Sequence, residues 1–244
     1  MRAIMISDKP KWVAKILNGE KTIEVRKNKA LATAIQKLID KYGYADIYVY
    51  CSKDNKIFLR DYRDKKKWAV YWRFVAMEKD PSIVGEEPPI LNGKVVFKFR
   101  CYKVEEIECA IDYYHECGRD CTYHTDSMCQ EVLGERSCLY NDIDEYLDWK
   151  PDNIVGYAIH IGDLEIFDKP KELSEFYSIV KEKVKTDCPL NCKGWCITNY
   201  DCKYYVEDDC WGGQLACSCP TKEVNIKKQL TKAPQNFVYI ESEE

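Results

Sequence analysis

Apolar and polar residues alternate along several short stretches of this chain and recur at helical spacing along two others. Residues 3–7 are apolar enough for a first strand. Asp8 and Pro10 follow, offering a cap oxygen and a residue that needs no N–H in a first turn. Trp12, Val13, Ile16 and Leu17 then recur with the period of a helix that stops at Gly19. Thr22 to Lys27 alternates β-favouring and charged residues and predicts a second strand, after which Leu31, Ile35, Leu38, Ile39 and Tyr42 predict an amphipathic helix ending at Gly43. Ile47, Val49 and Cys51 alternate with Tyr48 and Tyr50, as Val95, Phe97, Phe99 and Cys101 do with their neighbours, so each run is expected to be a strand with one buried face. Between them, residues 52–92 are highly charged, with Lys65, Lys66 and Lys67 ahead of the aromatic run Trp68 to Phe74; this pattern fits a hairpin or a helix, and 81–89 reads as loop or linker. Gly156 to Phe167 predicts one strand, Pro170 to Lys185 a short helical region, and Phe237 to Ile240 a final strand.

With 244 residues, 45% of them hydrophobic, the chain has material for a packed core and is not a disordered tail. The opening stretch turns polar too soon for a signal peptide and no window nears the ~18 apolar residues of a membrane span, so a cytoplasmic protein without a membrane partner is expected. The formal charge of −4 argues against nucleic acid until it is divided along the chain. Residues 1–108 carry 23 Lys or Arg against 15 Asp or Glu, a net of +8, and the remainder 14 against 26, a net of −12. A phosphate-contacting surface is therefore to be sought in the N-terminal part.

Cysteine is the compositional outlier, with 14 residues. Cys51 and Cys101 lie in strand-like runs and are expected to be buried free thiols. The others fall in two groups: Cys109, Cys117, Cys121, Cys129 and Cys138, then Cys188, Cys192, Cys196, Cys202, Cys210, Cys217 and Cys219. These groups mark insertions at 109–148 and 186–220 in a single domain spanning 1–244, each too poor in aliphatic residues to fold without staples. In a reducing compartment clustered thiols favour structural zinc, with Cys117, Cys121, Cys129, Cys138, Cys188, Cys192, Cys196, Cys202, Cys210, Cys217 and Cys219 as candidate ligands and His115 and His124 able to complete sites. No CxxC pair occurs, and five and seven cysteines do not divide into closed sets of four, so disulfides, an iron–sulfur cluster or free thiols remain alternative states. The arms thus read as a lid, a specificity element or a protein-contact surface.

The chemistry concentrates between helix and strand, where Gly19, Lys21, Glu24 and Arg26 form the pattern GxKxxExR. Glycine permits a sharp turn and close approach of a ligand, while Thr22, Glu24 and Arg26 share one side of a strand with Lys21 at its mouth. Together they supply an acceptor for a base edge, a guanidinium fork for phosphate and a point charge. A solvated edge strand in which Glu24 and Arg26 neutralise each other would show the same spacing. No Ser-His-Asp order, phosphate-loop glycines or HExxH motif supports a different chemistry.

The stretch from Ile6 to Lys27 resembles the opening of ASCH-domain proteins, a branch of the PUA-like superfamily. The resemblance continues through Gly93 to Phe99, Gly156 to Ile161, Phe167 to Pro170 and Ala233 to Ile240. It implies an α+β fold, a small PUA-like β-barrel with flanking helices, and a cleft in which the GxKxxExR residues face RNA, DNA or a modified nucleoside. Lys9, Trp12, Gly19, Lys21, Thr22, Glu24, Arg26 and Gln235 are the implied base- or strand-binding residues. Pro234 and Gln235 would form a lip, and Trp12 or Phe237 a stacking platform worth about 1–3 kcal/mol per base; Trp12 as a core anchor of its helix is the alternative. Some ASCH-like proteins are amidohydrolases acting on acylated cytidine with a lysine and a threonine; Lys21 matches the lysine, Glu24 stands at the threonine position, and Thr22 is the nearby hydroxyl. The resemblance therefore implies non-catalytic recognition first, hydrolysis through Lys21, Glu24 and Thr22 second. A zinc-stabilised protein-interaction module is the third reading.

Overall fold

The first strand, β1 (Arg2–Asp8), is buried on both sides: Ile4 and Ile6 enter one apolar cluster, Ala3 and Met5 another, as the two-residue period of a strand requires. The computed structural model describes residues 2–63, 73–78, 88–108, 136, 154–185 and 221–241. After β1 come α1 (Pro10–Leu17), β2 (Ile23–Arg26), α2 (Lys29–Tyr42), β3 (Ala45–Cys51), β4 (Ile57–Asp61), β5 (Phe74–Glu78), β6 (Val95–Cys101) and β7 (Val104–Glu108). The C-terminal part adds β8 (Ile154–His160), β9 (Gly162–Lys171), β10 (Tyr177–Lys185), β11 (Thr221–Gln229) and β12 (Phe237–Glu241). Among the described residues the fold is α+β and rich in strands.

The larger of two compact units comprises Met1–Ser178 and Gln229–Glu244. Its main sheet runs β10-β12-β1-β3-β6-β9, β10 joining through Ser178 opposite Ile240. Within it β1 and β3 are parallel, and the crossover between them carries α1, β2 and α2. A second sheet runs β2-β8-β7, and β4 pairs with β5. Helix α1 packs on β4 and β5, and α2 on β3 and the second sheet. In the smaller unit, Ile179–Lys228, β10 and β11 are neighbours, with Lys181 paired to Glu223 and Lys228 to Glu182.

Both predicted helices form. Pro10 opens α1, but Lys9 is its cap residue and gives no side-chain cap bond; the carboxyl of Asp8 instead accepts the Lys9 N–H at 2.8 Å and turns elsewhere. In α2 the cap is Asn28, whose side chain accepts from the N–H groups of Ala30 and Leu31. The charged segment after β3 contains a two-stranded ladder, which settles in favour of strands for Ile57–Asp61 and Phe74–Glu78.

Four expectations are corrected. Strand β3 has both faces buried, not one: Ile47 and Val49 meet the helices, while Tyr48 and Tyr50 pack with Phe167 and Phe176 on the other side. In β6 a bulge against β3 shifts the alternation, sending Val95 to the tyrosine face and Phe97 and Phe99 to the helix face. The single strand expected from Gly156 to Phe167 is two strands in different sheets, broken at Ile161. Gly162 makes that corner, since a Cβ there would lie 3.1 Å from the Arg100 carbonyl and 3.2 Å from the Tyr102 ring. The helical region expected over Pro170 to Lys185 is instead the end of β9, one 3-10 turn at Leu173–Glu175, and β10. The β-branched Ile179, Val180 and Val184 favour that extended course.

Cys51 and Cys101 are free and fully buried, as expected, and burial pushes their thiols up to about 12 and about 11. The cysteines of 109–148 and 186–220 lie outside the described residues. No helix among the described residues is long and apolar enough to cross a membrane. The Asn28 cap gives a test of the fold: Asn28→Ala should cost about 1 kcal/mol and Asn28→Ser little, read as shifts in the urea midpoint.

Candidate functional site

Gly19 ends α1 with a φ of +79°, and a Cβ there would meet nothing within 4 Å, so backbone conformation alone calls for glycine. The turn is closed by the N–H groups of Glu20 and Lys21, both donating to the Lys15 carbonyl. Strand β2 follows, paired antiparallel with β8 so that Glu24 lies opposite Ile159 and Arg26 opposite Tyr157. Alternation buries Ile23 and Val25 and places Glu24 and Arg26 on one face.

On that face four ionisable groups meet. Glu24 Oε1 lies 2.7 Å from Arg26 Nε, and Glu24 Oε2 lies 3.3 Å from Lys21 Nζ. Arg26 Nη2 donates to the Ser7 carbonyl at 2.9 Å and stands 3.8 Å from Asp8 Oδ2. Lys21, Glu24 and Asp8 are 3%, 4% and 8% exposed, whereas the Arg26 side chain keeps 22% of its surface. Arg26 is thus the most open member of the cluster.

The two carboxyls titrate in opposite directions. Burial, reinforced by the Glu24 charge, pushes Asp8 up to about 7 against the pull of Arg26 and Lys21. Burial also acts upward on Glu24, but Lys21 and Arg26 outweigh it and hold that carboxyl below its ordinary value. Asp8 is therefore the carboxyl of the pair that holds a proton more readily, and Glu24 the one that stays ionised.

Trp12 extends the cluster toward solvent. Its half-buried ring has Lys21 Nζ 5.3 Å from the centroid, with Lys11 Nζ at 4.4 Å and Lys15 Nζ at 5.6 Å. Ser7 ties in the C-terminal segment, its hydroxyl donating to the Pro234 carbonyl at 2.8 Å. Gln235 next to it is exposed, and Phe237 packs edge-on to Tyr239 against the helix-side core.

The structure thus gathers Trp12, Lys21, Glu24 and Arg26 into one line, with Gly19 at its turn. Lys9 contributes its backbone N–H to Asp8 while its side chain stays exposed. Thr22 turns away: it is exposed, its N–H donates to the Arg136 carbonyl at 2.8 Å, and its hydroxyl accepts from Arg136 Nε at 3.4 Å. Asp8, Ser7, Lys11 and Lys15 were not singled out for the site by the sequence reading. Asp8 had a local signal, as the last residue of a strand parallel to its neighbour and leading into a helix, where α/β clefts open.

Among the described residues no group of three or more His, Cys, Asp or Glu is placed to hold a metal ion. The eleven candidate zinc ligands all lie outside them. No family model, curated protein or solved structure matches the chain.

Asp8 gives this site a measurable signature. The folded protein keeps on Asp8 a proton that an unfolded chain releases near 3.8. The stability contributed through Asp8 is therefore fullest below that value and declines as pH rises toward about 7. Asp8→Asn should remove the decline, so that urea midpoints of the variant gain on wild type between pH 4 and pH 7. A gap that stays constant over that range would count against the assignment.

Proposed function

We propose that this chain is a non-catalytic recognition module for a nucleic-acid strand or nucleobase, of the ASCH and PUA-like kind that its sequence resembles. The observation that carries the reading is the unbroken line from Trp12 through Lys21 and Glu24 to Arg26, with Lys11 and Lys15 beside the same ring. A flat aromatic face among ammonium groups, leading to a half-exposed guanidinium, suits a base and its phosphate. Glu24, with one oxygen toward each cation, serves to aim Arg26 and Lys21. Gln235, beside the segment that Ser7 anchors, is the lip of the cleft.

Recognition fits the geometry better than hydrolysis. A general base works best near the operating pH, whereas Lys21 and Arg26 hold Glu24 ionised. Thr22, the hydroxyl that turnover of an acylated cytidine would need, is engaged with Arg136. In this reading the cysteine-rich arms are zinc-stapled, shape access to the cleft or meet a protein partner, and the protein works in the cytoplasm.

Binding of labelled single-stranded RNA and DNA across a salt series tests the proposal. Wild type should weaken linearly in log–log form. Lys11→Ala should lower the slope by about 0.7, one phosphate contact on a single strand, and Arg26→Ala should weaken binding tenfold or more. Absence of salt-dependent binding, or variants indistinguishable from wild type, would overturn it. For the arms, elemental analysis of protein purified without added metal should find stoichiometric zinc; metal-free protein would leave the arms to disulfides or free thiols.

A further inference from the structure

We propose that Asp8 makes this cleft selective for a phosphate-bearing nucleotide, which it takes up together with one proton. The inference rests on the cleft reading above and assigns its ligand a charge. With Asp8 and Glu24 both ionised, the cluster with Lys21 and Arg26 is neutral. With a proton on Asp8 it carries one positive charge. Arg26 is the member an incoming anion can reach, and its Nη2 stands 3.8 Å from Asp8 Oδ2. A phosphate seated on Arg26 therefore arrives beside Asp8, where a second and third negative charge would share one cation. Protonating Asp8 removes that repulsion and leaves Arg26 with Glu24 as its one nearby anion.

Among the described residues, the titratable and charged groups facing Asp8 are Lys21, Glu24 and Arg26 from β2 and its turn, and Cys51 from the end of β3. Burial keeps the Cys51 thiol neutral. Glu24 is held ionised by its two cations, which leaves Asp8 as the carboxyl that gains or loses the proton near neutrality. The neighbouring Lys9 N–H bonds the Oδ1 atom and does not require ionisation. An uncharged nucleoside, stacking on Trp12 without reaching Arg26 with an anion, has no reason to draw a proton.

The experiment measures the dissociation constant of three probes from pH 5.5 to pH 9 at fixed ionic strength: a trinucleotide RNA without terminal phosphates, a nucleoside 5′-monophosphate, and the matching nucleoside. The phosphodiesters of the trinucleotide do not titrate in this range, so its slope belongs to the protein. Trinucleotide affinity should be flat in acid and fall about tenfold per pH unit once Asp8 is ionised, the slope of one linked proton. Asp8→Asn should abolish the fall, and Asp8→Ser serves as a second variant if the first folds poorly. The nucleoside should bind weakly and without a slope. Comparing the monophosphate with the trinucleotide distinguishes a free nucleotide from a strand as the source of the phosphate. Binding with the same slope in wild type and both variants, or with no slope in wild type, overturns the proton linkage and leaves the cleft standing. Binding of none of the probes overturns both.

Discussion

A carboxylate with a cation on each oxygen organises the middle of this protein. Glu24 faces Arg26 through one oxygen and Lys21 through the other, and is almost wholly buried. Arg26 then donates to the carbonyl of Ser7, and the hydroxyl of Ser7 donates to the carbonyl of Pro234. In three contacts the edge of the small sheet is fastened to the end of β1 and to the segment leading into β12. Burying such charges is costly, and a pair of this kind contributes less to stability than apolar residues of equal volume would. What the cluster supplies is position: each donor has one place to be, and Arg26 is left facing outward with a fixed aim.

Two carboxyls that enter one cluster do not behave alike. Asp8 has the desolvation of a buried site and feels Arg26 and Lys21 from farther off, while Glu24 has both cations at short range. Their tendencies to ionise separate for that reason, which is the usual way a protein makes one carboxyl a fixed anion and its neighbour a proton carrier. Asp8 also shows how a local role yields to a tertiary one. A carboxylate two residues before Pro10 reads as a helix cap, and its backbone position is nearly that, but the three charged groups nearby outweigh one capping bond.

Much of the frame is legible without coordinates because its signals are local. Trp12 to Leu17 and Leu31 to Tyr42 carry helical periods long enough to be unambiguous, and Gly19 marks a turn that only a positive φ can make. The grouping of Lys21, Glu24 and Arg26 follows from strand alternation. The signals that failed are those where local pattern continues through a tertiary event. Leu164 and Ile166 follow Tyr157, Ile159 and Ile161 so closely that the run reads as one strand, although the chain changes sheets at Ile161. Tyr48 and Tyr50 look like the wet side of a strand until Phe167 and Phe176, more than a hundred residues away, cover them. The bulge that diverts Val95 leaves no trace in composition.

In the proposed function, attraction and selectivity belong to different parts of the site. The ion cluster is largely buried, so it projects little field of its own; the lysines of α1 beside Trp12 are the groups whose charge reaches into solvent. Those lysines belong to the N-terminal stretch of net +8 in a chain of net −4. In the proposed function, a phosphate drawn in by them would meet, at Arg26, a guanidinium whose orientation Glu24 sets and, beside it, the Asp8 carboxyl that burial inclines to hold a proton. In that proposal the cations that would gather the ligand are separate from the pair that would judge its charge, so salt should act mainly on the first and pH mainly on the second. A site in which one exposed arginine did both would show the two dependences moving together.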